Sequence, residues 1–259
     1  MGGGYKGDFE MIEQTPKIRT SFLCTIPSAV VTQALAQAGA DTVVIDQEHG
    51  AIGPENLHAM IASTAGTNCR PVVRVGKRDE AMVKLALDLG AAGIVFPLVN
   101  TAQEASDCVA MTRYPPRGRR AFGPFIGHSR WGVPFQDYLT KVGGTVACNI
   151  LIETKAAIDN IEAICAVEGI NVLVLAPFDL SVELGCPHQF DNPIFLKAVD
   201  QFERATTAAN VPRSTLAMTE QQVQSAIARG YSGVGLGFDV LMLKSAAATA
   251  IGWARQSAS

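Results

Sequence analysis

No uninterrupted apolar run in this chain approaches the roughly 18–20 residues that cross a bilayer, so no membrane span is expected. The six cysteines, Cys24, Cys69, Cys108, Cys148, Cys165 and Cys186, include no Cys-x-x-Cys pair. That spacing fits reduced thiols in apolar surroundings and argues against a disulfide frame or a zinc site. No Gly-x-Gly-x-x-Gly opens the first helical pattern, which weakens a dinucleotide-binding fold. The opening residues, MGGGYKGDFEMIEQTP, lack the apolar core of a secretory signal and read as a loose N-terminal segment, bounded at residues 1–20. Charge is also scarce: 17% of residues are charged and the net charge is -3, which gives no electrostatic case for nucleic acid. The expectation is a soluble, cytoplasmic protein.

What the chain does have is apolar material and a repeating unit. Hydrophobic residues make up 48% of 259, ample for one large core. Short apolar runs at 22–26, 42–45, 72–75 and 93–96 each precede a helical pattern, at 28–37, 54–65, 79–89 and 101–112. Pro54 suits a first helical turn, and Thr101 suits an N-cap. A Pro-, Gly- and Arg-rich segment, 114–134, follows. Strands are then read at 150–152, 172–175, 215–218 and 233–236, interleaved with helices at 193–209, 220–229 and from 240 onward. Eight alternations without a linker-like break predict a single-domain α/β fold, a (β/α)8 TIM barrel over residues 21–259. Gly235-Leu236-Gly237 is a weak phosphate-loop signal that tight turn geometry explains equally well.

Barrel active sites form at the carboxyl ends of the strands. There the sequence places Asp46-Gln47-Glu48-His49-Gly50, then Arg74, Pro97, Glu153 and Pro177-Phe178-Asp179. One strand ends on Glu153 and the next, after a helical crossover, leads to Asp179, so the two carboxylates lie on one face. Two converging carboxylates suit a hard divalent cation completed by water and substrate. The plainer alternative is that Glu153 caps the helix beginning near 155 and Asp179 caps a turn. Arg74 adds a guanidinium and His49 an imidazole, so a His, an Arg and an acid pair meet around one mouth and point to an enzyme. No strand-end lysine is placed for a Schiff base.

These residues sit within IDQEHG, PVVRVG, LDLGAAGIVFPLVNTAQEA, RYPPRGRRAFGP, SRWG, IETKAAIDN and APFDLSVELG. In that order the motifs resemble metal-dependent (class II) pyruvate aldolases of the 4-hydroxy-2-oxoheptanedioate aldolase type, over most of the chain. The resemblance implies an aldehyde-lyase that cleaves or forms 4-hydroxy-2-oxoacids from a 2-oxoacid such as pyruvate and an aldehyde. It implies Glu153 and Asp179 as ligands of Mg2+, Mn2+ or Co2+, His49 as acid–base group and Arg74 as enolate stabiliser. Asp88 matches the position that makes the histidine more basic. Yet Asp88 ends a helix, at the rim opposite the strand carboxyl ends, so it reaches His49 only by unusual geometry or from a neighbouring subunit. Ala176, Phe178 and Leu216 are the substrate-binding candidates.

The chain departs from the family's pattern at Leu151, where Gln is frequent. It also departs at Ala176-Pro177-Phe178, where Gly-Pro is frequent, and at Arg213-Ser214-Thr215-Leu216 in strand seven; these changes bear on substrate scope. A homo-oligomer, a hexamer built as a trimer of dimers, is implied through the apolar last helix. In the long segment Arg117, Arg119, Arg120, Arg130 and Trp131 either line an entrance, form a subunit contact or are simply solvated. Two alternatives stay open: a coenzyme A-thioester lyase of the citrate lyase beta-subunit kind, and a non-catalytic barrel.

Overall fold

The computed structural model describes residues 18–256. The expected loose segment lies outside them up to residue 17. Eight strands, β1 (Arg19–Cys24), β2 (Thr42–Asp46), β3 (Arg70–Arg74), β4 (Gly93–Phe96), β5 (Ala147–Ile152), β6 (Val172–Leu175), β7 (Arg213–Leu216) and β8 (Gly233–Phe238), pair in sequence order and close into one barrel. Every pairing is parallel, including the closure of β1 on β8. The expected (β/α)8 architecture is what forms.

Local signals place the helices that carry the chain back. Asp79 accepts from the amides of Ala81 at 2.9 Å and Met82 at 3.2 Å to open the helix Glu80–Asp88. Thr101 with Glu104, and Thr219 with Gln222, form reciprocal capping boxes at the starts of the helices Ala102–Thr112 and Glu220–Ala228. Asn192 caps and Pro193 begins the helix Pro193–Ala208, consistent with proline at a first helical turn.

Strand ends differ from the apolar runs where neighbours set the pairing. Arg70 and Pro71 belong to β3 because they pair with Thr42 and Val43. Strand β7 starts at Arg213, opposite Leu173, and ends at Leu216, leaving Met218 outside it and exposed. A closed barrel staggers its strands, so register overrides the hydrophobic pattern at each end.

The strand faces divide the core in two. Outward residues such as Val43, Ile45, Val73, Ile94, Ile150 and Leu173 join the helices in the main core. Inward residues Val72, Val95, Leu151 and Ala176, with Val44 and Val174 against them, form a separate apolar column inside the barrel. All six cysteines are buried and free, and no helix among the described residues is long and apolar enough to cross a membrane.

One region departs from the sequence reading, and the last helix leaves exposed the apolar residues that a lone barrel was expected to expose. The segment expected as a long loop contains a short helix, Gly127–Arg130, followed by turns Phe135–Asp137 and Leu139–Gly143. It follows the helix Ala102–Thr112 and enters β5 at its start, so it lies at the amino end of the barrel and does not line the entrance. Nor is its charge simply solvated. Arg130 donates to the Ile61 carbonyl at 3.2 Å and Thr64 Oγ1 at 2.7 Å and covers the Trp131 ring, while Arg119 pairs with Glu80 and Asp107. The last helix, Asp239–Gln256, forms where the sequence places it. Val240, Leu241, Met242, Leu243 and Ile251 are all exposed, so it does not lay an apolar stripe on its own barrel. Asp239 anchors its start, accepting from Thr25 N, Thr25 Oγ1 and Ile26 N at 2.8–3.0 Å.

Candidate active site

The floor of the mouth is built by strand periodicity. Asp46 and Arg74 are register partners on β2 and β3, on the inward face above Val44 and Val72. Glu153 follows β5 two residues after inward Leu151, so alternation brings it to the same face. The apolar column beneath explains the electrostatics above it, because few polar groups are left to share the charge.

Arg74 is pinned. Its Nε and Nη2 donate to the two oxygens of Asp46 at 2.9 and 2.7 Å, a bidentate pair in which Asp46 is fully buried. Its third nitrogen, Nη1, lies 3.1 Å from Glu48 Oε2, close enough for attraction although that oxygen has no aligned hydrogen bond. Burial alone would raise the Asp46 carboxyl. The hydrogen bonds and charge of Arg74, with the amides of Glu48 and His49, outweigh it and hold the group below the usual carboxylate range.

The same carboxylate shapes the turn that carries the imidazole. Asp46 Oδ1 accepts from the amides of Glu48 at 3.0 Å and His49 at 3.3 Å. Gly50 closes that turn, and a Cβ there would come within 2.3 Å of the Asp46 carbonyl, so no other residue fits without movement. The His49 side chain is 66% exposed, with Nε2 3.8 Å from Glu48 Oε2. It therefore stands at the solvent side of the mouth, free to exchange protons.

Glu153 is buried and accepts from the Leu98 amide at 2.5 Å. Leu98 adopts a left-handed φ of 54°, an uncommon backbone for leucine, and it is exposed. Burial pushes the Glu153 carboxyl up, the Leu98 amide pulls the other way, and the charges of Glu48 and Asp179 push it up further. Glu48 and Asp179 are therefore near enough for their charges to act on Glu153. Asp179 is exposed and lies past the carboxyl end of β6, as expected, in the first turn of a helix, Pro177–Glu183. The capping alternative for Glu153 does not hold, since Thr154 caps the helix Lys155–Asp159 by accepting from Ala157 N at 3.0 Å.

Among the described residues no group of three or more His, Cys, Asp or Glu side chains is set to hold a metal ion unaided. Two carboxylates with open positions are nonetheless what a hard cation of the magnesium type uses, because it keeps water and substrate oxygens in its shell. The all-oxygen donor set fits such an ion, and the mutual repulsion of the acids is what a cation would relieve.

The substrate-binding candidates divide. Ala176 is buried in the interior column. Phe178 packs on His188 and Phe190, with ring centroids 5.6 and 5.4 Å apart, and Leu216 sits 3.1 Å from where a Cβ on Gly235 would be. That contact accounts for Gly235 by strand packing. Phe178 and Leu216 also border a cavity of about 320 Å³ lined by the helices Pro193–Ala208 and Glu220–Ala228, against Phe195, Gln222 and Tyr231. Asp88 is not brought to His49 within the chain. It ends the helix Glu80–Asp88 at the amino end of the barrel, 3.3 Å from Arg120 Nη2.

Two contributors were not assigned from sequence. Asp46 was named without a role, and its inward parity with Arg74 is the signal that identifies it. The Leu98 amide left no sequence signal, because backbone donors are invisible in side-chain patterns.

Comparisons with known proteins agree with the fold. The HpcH/HpaI aldolase/citrate lyase family matches residues 22–246. A 2-keto-3-deoxy-L-rhamnonate aldolase of Escherichia coli (strain K12) is 30% identical over 220 residues, which are 85% of this chain and 82% of that protein. Among solved structures, an HpcH/HpaI aldolase/citrate lyase family protein from Burkholderia cenocepacia J2315 superposes with a TM-score of 0.85 at 27% identity, covering 93% of this chain and 95% of its own. Macrophomate synthase superposes with a TM-score of 0.83 at 30% identity, covering 93% and 85% respectively.

Proposed function

Because the chain belongs to the HpcH/HpaI aldolase/citrate lyase family and is thereby an enzyme of the aldehyde-lyase kind, we propose that it cleaves and forms 4-hydroxy-2-oxoacids, with pyruvate or a related 2-oxoacid and an aldehyde as the two halves. The observation that carries this reading is the guanidinium of Arg74, pinned by Asp46 at the carboxyl end of the barrel, where the charges of Glu153 and Asp179 act on one another. The similar Escherichia coli enzyme makes 2-keto-3-deoxy-L-rhamnonate a first substrate to test.

Glu153 and Asp179 would hold a divalent cation, Mg2+, Mn2+ or Co2+. Such an ion supplies Lewis-acid polarisation of the 2-oxo group. In cleavage the C4 hydroxyl loses its proton, the C3–C4 bond breaks to release the aldehyde, and the electron pair moves into the 2-oxo group. His49, exposed at the lip, takes the hydroxyl proton and returns it to solvent. Arg74 holds positive charge where the enolate oxygen develops, and its orientation costs no rearrangement during the reaction because Asp46 has already set it. C3 then takes a proton and leaves as the methyl of pyruvate. The charges of Asp46, Glu48 and Glu153 act on Arg74 at this mouth, a balance that offers a coenzyme A polyphosphate little attraction and favours the aldol reading over the thioester one.

The proposal extends to assembly as a homo-oligomer, a hexamer arranged as a trimer of dimers. The exposed Val240, Leu241, Met242 and Leu243 support it, since a helix with this much unburied apolar surface needs a second copy. Phe122, Phe125 and Ile126 are exposed at the amino end, the end that holds Asp88. Sedimentation showing a stable, active monomer would remove this part.

Pyruvate release from 4-hydroxy-2-oxoacids, followed with chelator and then with added magnesium, manganese or cobalt, tests the reaction. Cleavage that survives chelation, or an imine trapped by borohydride, would exclude the mechanism.

A further inference from the structure

We propose that Asp46 is the positioning residue for both halves of the reaction: one buried carboxylate that orients Arg74 for the enolate and shapes the turn that presents His49 for proton transfer. The inference rests on the proposed aldol function and deepens it. Asp46 makes four polar contacts and all belong to this arrangement: two from the Arg74 guanidinium and two from the amides of Glu48 and His49. It needs no contact with substrate to matter. A guanidinium attached at two points loses its freedom to rotate about Cδ–Nε, so its remaining nitrogen, Nη1, faces Glu48 in a fixed direction. The adjoining backbone supports the same geometry, because Gln47 N donates to the Arg74 carbonyl at 2.8 Å and ties the turn to β3. A purely structural staple is the competing account, and it predicts lost stability without a reaction-specific pattern.

Two measurements separate these accounts. Exchange of the pyruvate methyl protons in heavy water, followed by NMR with magnesium or manganese present, reads enolisation and therefore Arg74. Cleavage of a 4-hydroxy-2-oxoacid reads Arg74 and His49 together. Asp46→Asn keeps the shape but turns an N–H toward the guanidinium and removes its charged partner. We expect exchange to fall about 10²-fold, the scale of one misplaced oxyanion donor, and cleavage to fall further because the His49 turn is also loosened. In an Arg74→Ala background, adding Asp46→Asn should cost no further exchange yet still reduce cleavage, and it should raise resistance to urea by removing an unpaired buried carboxylate.

Arg74→Lys provides a second route should Asp46→Asn fold poorly. It retains the positive charge but cannot bridge both Asp46 oxygens, so exchange should fall on the scale of Asp46→Asn. Folded Asp46→Asn or Arg74→Lys protein exchanging at the parental rate overturns the positioning role, as do exchange losses that multiply in the double variant. A parent protein that neither exchanges pyruvate nor cleaves any hydroxy-oxoacid with these metals overturns the proposed function itself, and the inference with it.

Discussion

The barrel carries an aspartate–arginine pair at each end, and the two are built differently. At the carboxyl end Asp46 and Arg74 are neighbours across parallel strands, joined by two bonds of 2.9 and 2.7 Å, with two backbone amides on the same carboxylate. At the amino end Asp88 and Arg120 meet by one contact of 3.3 Å, and the buried Nε and Nη1 of Arg120 find no hydrogen bond. Burial pushes both carboxyls up. The bidentate contacts and amides reverse that push at Asp46, while burial prevails at Asp88 over the charge and hydrogen bond of Arg120. A charge pair in a low-dielectric place is settled by how many directed bonds accompany it. The carboxyl-end pair is complete within the chain. The amino-end pair, beside exposed Phe122 and Phe125, has donors left over.

Breaking the complete pair should have the largest effect. Arg74→Ala leaves Asp46 charged, buried and unpaired, a loss of about 3–5 kcal/mol for a broken buried pair, read by urea unfolding. It should also lose ~10²–10³-fold in both pyruvate exchange and cleavage. If exchange persists while cleavage fails, the enolate-stabilising role is wrong.

Magnesium should stabilise only the carboxyl end. At a hundredfold excess over Kd a ligand specific to the folded state adds about 2.7 kcal/mol, a rise in melting temperature measurable by calorimetry and reversed by chelator. Glu153→Gln or Asp179→Asn should remove the rise, whereas Asp88→Ala should keep it. A rise that survives in Glu153→Gln would move the ion elsewhere.

Deleting the looser partner should cost less. Asp88→Ala is expected to lose about 1 kcal/mol, the scale of one ordinary hydrogen bond, measured on the same urea scale. A loss equal to that of Arg74→Ala would erase the distinction between the two ends.

The smallest and sharpest test is the sign of the pH dependence. Asp46 has a lowered folded pKa, so its contribution is present above the unfolded value of about 3.9 and disappears as pH falls through the lower folded value. Asp88 has a raised folded pKa, so its ionisation lowers stability as pH climbs from about 3.9 toward that higher value. Asp46→Asn should therefore make unfolding less sensitive to acid below about pH 4, and Asp88→Asn should flatten the decline above it. The same direction of change in both variants would contradict the comparison.

Much of this was legible in the residues. Eight short apolar runs with capped helices between them can close only one way when every crossover is parallel, and Thr101 and Asp79 mark helix starts by local chemistry alone. Period-two alternation likewise brings Glu153 to the inward face from its distance to Leu151. Other features have no local origin. The extents of β3 and β7 depend on which residues lie opposite them. Asp179 lies in the first turn of a helix that Pro177 opens, where the sequence equally allowed it to cap a turn. The exposure of the last helix is the clearest case, because its apolar residues are the same whether they cover their own barrel or another copy's. Composition, periodicity and caps thus determined the barrel and the set of acids at its mouth. Which carboxylate holds Arg74, which backbone amide reaches Glu153 and where Asp88 lies were decided by tertiary structure, because hydrogen bonds depend on distances between strands that no stretch of sequence contains.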